Sequence, residues 1–205
     1  MSVFKIKYLG KCLLLEKSGE RVLVIGDLHL GYEGAMRASG VMVPIKIYDK
    51  CIKDFDEIIS FVGGFIDKII ILGDIKHGFG TILREEWNEI ERFLIYLKEK
   101  CSELVVIEGN HDNVLFPILN KIKIVGADYY LWKNIIFAHG DRDFKEMYSK
   151  EIKFWILGHG HLAIALYDDI KKENYVEKSP LKLHTLVWSR LLEHPKIERQ
   201  SNHTL

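Results

Sequence analysis

The chain has 205 residues and a mass of 23.8 kDa, which fits one compact domain with a short extra segment. Its composition, with 48% hydrophobic and 28% charged residues, excludes a disordered or collagen-like protein. Because 29 basic residues balance 29 acidic residues, no strong overall field would hold the chain on nucleic acid or an anionic membrane. A local basic groove is still compatible with this balance.

Cysteine usage and the start of the chain predict a cytoplasmic protein. Cys12, Cys51 and Cys101 are odd in number, far apart and never in a C-x-x-C pair, which argues against a disulfide framework and suits a reducing compartment. The first residues alternate lysine with apolar residues and have no signal-peptide core. A transmembrane helix needs about 18 consecutive apolar residues, and the sequence contains no run of that length. We therefore expect no membrane partner.

In chain order, the predicted elements alternate between strands and helices. A hairpin around Gly10 opens the chain. Short runs rich in Ile and Val then predict buried strands over 21–25, 68–72, 104–107, 134–137 and 154–157. Apolar residues at helical spacing predict helices over 48–62 and 83–101. This order predicts an α/β fold.

The chain after residue 120 is less clearly patterned. Residues 121–137 predict another strand pair, whereas the chain from about Lys171 onward lacks a clear periodicity. We therefore assign 1–170 to one domain and leave the structure of the C-terminal segment 171–205 open.

Polar side chains that bind metals follow the predicted strands. Six of the nine histidines come just after such runs, namely His29, His77, His111, His139, His159 and His161. Residues i and i+2 of a strand point the same way, so Asp27 and His29 aim at one point. Asp74 and Asn110 follow other strands. Carboxylate, amide and imidazole ligands together suit Mn²⁺, Fe or Zn²⁺, and they are numerous enough for two ions.

The order of these motifs is more specific than any one of them. GDLH, GD, GNHD, HGD and GHGH follow each other between residues 26 and 161. At these residues the sequence resembles the calcineurin-like metallophosphoesterase superfamily, whose motifs are D-x-H, G-D, G-N-H-D/E, H and G-H-x-H. The resemblance implies a four-layer αββα fold, in which two mixed β-sheets pack face to face between helices. It also implies a two-metal site at the strand ends.

Carried over residue by residue, the resemblance implies two ligand groups that share one bridging carboxylate. The first group is Asp27, His29, Asp74 and His161, and the second is Asp74, Asn110, His139 and His159. His111 would be the catalytic histidine that binds no metal, and Asp112 would orient its ring. The expected cofactors are two divalent ions, with Mn²⁺ preferred and Fe, Zn²⁺ or Ni²⁺ as alternatives.

A narrower resemblance concerns residues 27–44 and 73–80. These stretches are similar to archaeal phosphoesterases related to the SbcD-type nucleases and to bacterial DNA-ligase-associated phosphoesterases. The similarity implies phosphodiester or nuclease chemistry but no particular substrate. Within these stretches, His77 is a candidate for contact with the scissile phosphate, and Arg37 is a candidate for binding a neighbouring phosphate with its bidentate guanidinium group. The alternative interpretations are that His77 is a loop histidine without a catalytic role and that Arg37 is a solvated surface arginine. The sequence departs from these relatives in two ways. Leu162 stands where they usually have a proline after the G-H-x-H motif, and we identify none of their further strands after residue 170.

These observations predict a metal-dependent phosphoesterase that hydrolyses phosphodiester bonds with a water activated by two ions. A nuclease acting on short or frayed ends is one form of that activity, with nucleic acid or a nucleotide as substrate. A phosphomonoesterase or nucleotide phosphatase is the nearest rival. A non-catalytic protein-binding scaffold is a different class, disfavoured because the whole ligand set is present. Because related nucleases dimerise, a homodimer is among the expected states.

Overall fold

The computed structural model describes residues 5–26, 28–41, 47–77, 84–112, 114–159, 163–168, 173–178 and 186–189. The strands are β1 (Lys5–Leu9), β2 (Cys12–Lys17), β3 (Glu20–Ile25), β4 (Ile66–Ile71), β5 (Cys101–Ile107), β6 (Val125–Ala127), β7 (Tyr129–Trp132), β8 (Ile135–Ala138), β9 (Phe154–Leu157), β10 (Ala163–Asp168), β11 (Glu173–Lys178) and β12 (Leu186–Ser189). The helices are α1 (Tyr32–Ala38), α2 (Ile47–Phe61), α3 (Arg84–Glu99) and α4 (Phe116–Ile122), and a 3₁₀ helix spans Lys145–Tyr148.

The first sheet has six strands in the order β1-β2-β3-β4-β5-β6. The pairs β1–β2 and β2–β3 are antiparallel, starting with a hairpin whose turn contains Gly10 at a positive φ of 58°. From β3 to β6 the strands are parallel, with α2 and α3 as crossovers. The carboxyl ends of β3, β4 and β5 therefore meet at one edge of the sheet, where open α/β sheets bind their ligands.

The second sheet has four strands in the order β12-β9-β8-β7. Strands β8 and β9 are parallel, whereas β7 and β12 run antiparallel to their neighbours. Both sheets are therefore mixed. Strands β10 and β11 pair only with each other, among the strands that the structure describes.

Alternating side chains of the first sheet bury both of its faces. In β2, Cys12 and Leu14 join the core beneath the helices, while Leu13 and Leu15 join the core between the two sheets. A strand covered on both sides has no exposed face, which explains its continuous run of apolar residues. The second sheet closes the inter-sheet core with residues such as Phe137.

The outer face of the second sheet has its own smaller core. Ile136 and Ala138 pack there against Met147, which lies in the 3₁₀ helix, and against Ile152. The expected αββα fold with two mixed sheets is thus confirmed. In the part of the chain described here, the layer over the second sheet contains the 3₁₀ helix where the resemblance implied α-helices.

The five predicted strands, the opening hairpin and the two long helices all form close to their predicted bounds. The region 121–137 needs correction, because it contains the end of α4, then β6 of the first sheet, and only then the pair β7–β8. Helix α4 has seven residues and begins at a proline-containing turn, so it is too short to show a helical stripe. In the C-terminal segment the structure adds β11 and β12, which the sequence pattern did not indicate. None of the described helices is long and apolar enough to cross a membrane.

Candidate metal centre

Three of the loops that follow strands have a strained backbone at a predicted ligand. His29, Asp74 and His159 have positive φ angles of 47°, 50° and 54°. The left-handed region is uncommon for residues other than glycine and costs on the order of 1–3 kcal/mol at each position. Three of the predicted ligands carry this strain, which is the kind of clustering that marks functional sites.

Two glycines allow the loops to approach each other closely. A Cβ atom on Gly109 would lie 2.5 Å from the backbone nitrogen of Asp74 and 3.0 Å from Cε1 of His139. A Cβ atom on Gly73 would lie 2.7 Å from Nδ1 of His139. The glycines of the GD and GNHD motifs are therefore needed to pack the ligand loops, a role that sequence reasoning missed because it treated them as strand ends.

Four potential ligands converge on one point. His139 Nε2 lies 3.0 Å from Asn110 Oδ1, 3.0 Å from His159 Nδ1 and 3.4 Å from Asp74 Oδ1. The ligand atoms of Asp74, His139 and His159 all lie within 4.8 Å of one another. Asp74 and His139 are buried, and His159 is exposed. The second predicted ligand group is thus brought together in the structure.

The chemistry of this group fits a bound cation. His139 Nδ1 donates a hydrogen bond to the backbone oxygen of Leu72 at 2.6 Å, so Nε2 of the neutral ring carries a lone pair. That lone pair faces the side-chain oxygens of Asn110 and Asp74, which are acceptors as well. These lone pairs repel each other, and a cation bound between the three atoms would be coordinated by all of them. Metal-binding histidines commonly donate their other nitrogen to a backbone oxygen in this way.

The structure describes two of the four residues in the first predicted ligand group, His29 and Asp74. Asp27 and His161 lie outside the described residues. His29 is held beside Asp74, because its backbone nitrogen donates to the backbone oxygen of Asp74 at 2.9 Å. Its ring centroid lies 5.3 Å from that of His111.

His111 faces the site from the loop after β5. Its backbone nitrogen donates to Asp74 Oδ1 at 3.2 Å, and its Nε2 lies 3.9 Å from Asp74 Oδ2. Its Nδ1 lies 2.8 Å from the backbone oxygen of His77, which can only accept, so Nδ1 is the donor. The backbone of His77 thus orients the His111 ring.

This contact corrects the role predicted for Asp112. The carboxylate of Asp112 is buried and accepts backbone N–H groups, with Oδ1 bound to Ile75 at 3.0 Å and Oδ2 to Gly109 at 3.0 Å. These bonds tie the loop after β4 to the loop after β5. Burial raises the pKa of Asp112 to about 7.

The two predicted substrate residues have different surroundings. The His77 ring lies edge-on to Tyr32 with 4.6 Å between centroids, and it stacks on His111 at 6.4 Å. Burial, together with the neighbouring His111, lowers the pKa of His77. Arg37 is exposed in α1, where its Nε lies 3.5 Å from the backbone oxygen of Glu33. The structure therefore places His77 at the site and Arg37 at an exposed position of α1.

Comparison with known proteins identifies the class that this fold and site define. The family model of calcineurin-like phosphoesterases matches residues 20–203. The chain therefore belongs to the calcineurin-like phosphoesterase family, whose members use divalent metal ions, and it is a metal-dependent phosphoesterase.

A solved structure shares the fold at low sequence identity. It is the nuclease MPE of Pseudomonas putida, which is 16% identical in sequence. The structural alignment covers 84% of this chain and 79% of the nuclease chain, with a TM-score of 0.53. No curated protein matches the chain.

Proposed function

We propose that this phosphoesterase hydrolyses phosphodiester bonds at a two-metal site and acts as a nuclease on short or frayed ends of nucleic acid. The observation that carries the proposal is the convergence of Asp74, Asn110 and His159 on Nε2 of His139. The SbcD-related resemblance of the DLHLG and GDIKH stretches favours diesters over monoesters, and the similarity to the nuclease MPE also supports a nuclease.

Two ligand groups would hold the ions. We assign Asp74, Asn110, His139 and His159 to one group, and Asp27, His29, Asp74 and His161 to the other. When bound, a pair of divalent ions lowers the pKa of a water and neutralises charge on the phosphate. We propose Mn²⁺ for both positions, since the mixture of oxygen and imidazole donors suits it, and Fe, Zn²⁺ or Ni²⁺ as alternatives.

His111 would act on the substrate without binding an ion. Its Nδ1 is committed as donor to the His77 backbone, so Nε2 is the nitrogen that takes up and releases a proton. In its protonated form the ring could stabilise charge on the phosphate or give a proton to the departing alkoxide. General acid catalysis of this kind contributes roughly 10²–10⁴ in rate.

Asp112 would support this step indirectly. By binding backbone N–H groups of Ile75 and Gly109, it holds together the two loops that carry Asp74 and His111. His77 lies against His111 and is our candidate for contact with the scissile phosphate. Arg37 is proposed for a neighbouring phosphate, with its exposure as the supporting observation.

Hydrolysis of a chromogenic phosphodiester and of the matching monoester would test this function. The purified protein is stripped of metal and assayed on bis(p-nitrophenyl) phosphate and p-nitrophenyl phosphate, with and without Mn²⁺. We expect Mn²⁺-dependent cleavage that favours the diester. Preference for the monoester would replace the proposal with a phosphatase, and a protein that folds but binds no metal would replace it with a protein-binding scaffold.

Two further proposals rest on the sequence. A cytoplasmic location fits three widely spaced cysteines without a pairing pattern. A homodimer fits the narrower resemblance, and size-exclusion chromatography coupled to light scattering would test it.

A further inference from the structure

The loops that follow β3 and β4 continue side by side beyond the sheet. Leu30 N donates to Ile75 O at 2.7 Å, and His77 N donates to Leu30 O at 2.9 Å. Leu30 and Lys76 form a parallel bridge. These bonds fix the backbone of residues 74–77, whose last member supplies the oxygen that orients His111.

A lysine lies at the centre of this paired segment and is completely buried. The side chain of Lys76 is 0% exposed. Moving an ammonium group out of water costs several kcal/mol unless carboxylates and other acceptors surround it. A fully buried lysine next to a candidate catalytic segment therefore requires a source of negative charge inside the protein.

Two buried glutamates lie on the neighbouring elements. Glu33 is in the first turn of α1, and Glu86 is near the start of α3, and both are buried. Of the other buried carboxylates among the described residues, Asp112 accepts backbone N–H groups and Asp74 belongs to the metal ligands. Glu33 and Glu86 are thus the buried carboxylates that the site does not use.

Glu86 reaches the paired segment from α3. A Cβ atom on Gly31 would lie 2.6–2.9 Å from the Cγ, Cδ and Oε1 atoms of Glu86, so its carboxylate packs directly against this glycine. Gly31 follows Leu30, the bridge partner of Lys76. Lys76 in turn directly precedes His77 in the chain.

We propose that Glu33, Lys76 and Glu86 form a buried charge cluster, the Lys76 cluster, that positions the backbone of His77 and thereby the ring of His111. Lys76 is a positioning residue, since it acts through His77 and touches no reacting atom. The catalytic part of this proposal rests on the proposed function, whereas the structural part does not.

The chain contains a matched control for Lys76. Lys68 is also buried, in β4 between the sheets, where its ammonium group pairs with Glu103 and lies 4.9 Å from the ring centroid of Tyr130. Replacing either lysine removes a buried cation from its carboxylate partner. A general loss of stability should therefore affect both variants, but only Lys76 is connected to His111.

The first test uses metal-free protein and needs no activity. The ¹⁵N resonances of the histidine rings report which nitrogen of His111 carries the proton. We expect the Nδ1–H form in the wild type and in Lys68→Met, and a mixture of tautomers in Lys76→Met. An unchanged Nδ1–H signal in folded Lys76→Met would overturn the proposal.

Milder variants address the case in which Lys76→Met does not fold. Glu86→Gln keeps the shape of the side chain and removes one charge of the cluster, and Lys76→Arg keeps the cation. We expect a partial loss of the Nδ1–H signal in Glu86→Gln and retention in Lys76→Arg. If Glu86→Gln folds and keeps the full wild-type signal, the cluster does not position His111.

The second test is kinetic and uses the Mn²⁺-loaded protein. Because a displacement of about 1 Å at a catalytic group can cost about 10²-fold in rate, we expect kcat of Lys76→Met to fall 10–100-fold while KM stays within about threefold. Lys68→Met should keep kcat within about threefold of the wild type. An equal fall in both variants would show a general effect of stability. An inactive wild type would refute the proposed function but leave the tautomer test valid.

Discussion

The two sheets contribute different chemistry to the candidate site. The loops after β3, β4 and β5 of the first sheet carry the proposed oxygen ligands Asp74 and Asn110, together with the imidazoles of His29 and His111. The loops after β8 and β9 of the second sheet supply imidazole ligands, His139 and His159. Neither sheet alone carries the converging group, so the site forms only when the two sheets pack on each other.

The connection between the sheets is direct. His139 belongs to the second sheet, but its Nδ1 donates to Leu72 O, which follows β4 of the first sheet. On its other side, Nε2 faces Asn110 Oδ1 at 3.0 Å. The same ring thus joins the sheets and offers a metal ligand, so metal binding and inter-sheet packing should stabilise each other.

The largest effect is expected from removing Asp74, the carboxylate that we propose both ligand groups share. Asp74→Ala should lose both ions and all Mn²⁺-dependent hydrolysis, measured by metal analysis and by the diester assay. Asp67→Ala is the matched control, because Asp67 lies near the other end of β4 and accepts a hydrogen bond from the Arg21 backbone. Two ions bound to Asp74→Ala would contradict the bridging assignment.

A smaller change in metal content is expected when a second-sheet ligand is removed. His139→Ala should bind one Mn²⁺ per chain, because the group that contains His29 does not use His139. The protein should also melt at a lower temperature, since the bond to Leu72 O is lost. Retention of two tightly bound ions would show that the second sheet is not needed for metal binding.

A third variant separates catalysis from metal binding within the first sheet. His111→Ala should keep both ions and lose roughly 10²–10⁴ in turnover, because its ring is proposed to act on the phosphate. Metal content and single-turnover rate measured on the same sample test this distinction. Loss of an ion would make His111 a ligand instead.

The smallest effect concerns the packing of the ligand loops. Gly109→Ala should weaken Mn²⁺ binding by about 10–100-fold, the usual effect of disturbing groups that support metal ligands. Gly126→Ala is the control, since its Cβ would meet only the flexible end of Leu119 at 3.0 Å and Glu108 Oε1 at 4.0 Å. Equal Mn²⁺ affinities in titrations of the two variants would refute the packing role of Gly109.

Much of the fold could be predicted because strands buried on both faces have a clear signature. The runs that became β3, β4, β5, β8 and β9 are continuous in apolar residues and end in polar motifs. Short elements carry no such signal. Helices α1 and α4 have seven residues each, and β6 has three, so tertiary packing rather than periodicity determines them.

The sequence indicated which residues of the second proposed ligand group lie together, but not their contacts. Motif order indicated Asp74, Asn110, His139 and His159 as one group, and the structure brings their ligand atoms together. Sequence reasoning could not show which acceptor orients His111, because the answer is a backbone oxygen, and every residue has one. The burial of Lys76 could not be predicted either, since most lysines are exposed.

The number of ions per chain tests the central claim most directly. Metal-stripped wild-type protein would be titrated with Mn²⁺ and followed by calorimetry and by electron paramagnetic resonance, which distinguishes a coupled pair from isolated ions. Two ligand groups sharing Asp74 predict two Mn²⁺ per chain with a spin-coupled spectrum. Saturation at one ion, or two ions without coupling, would contradict a shared two-metal centre.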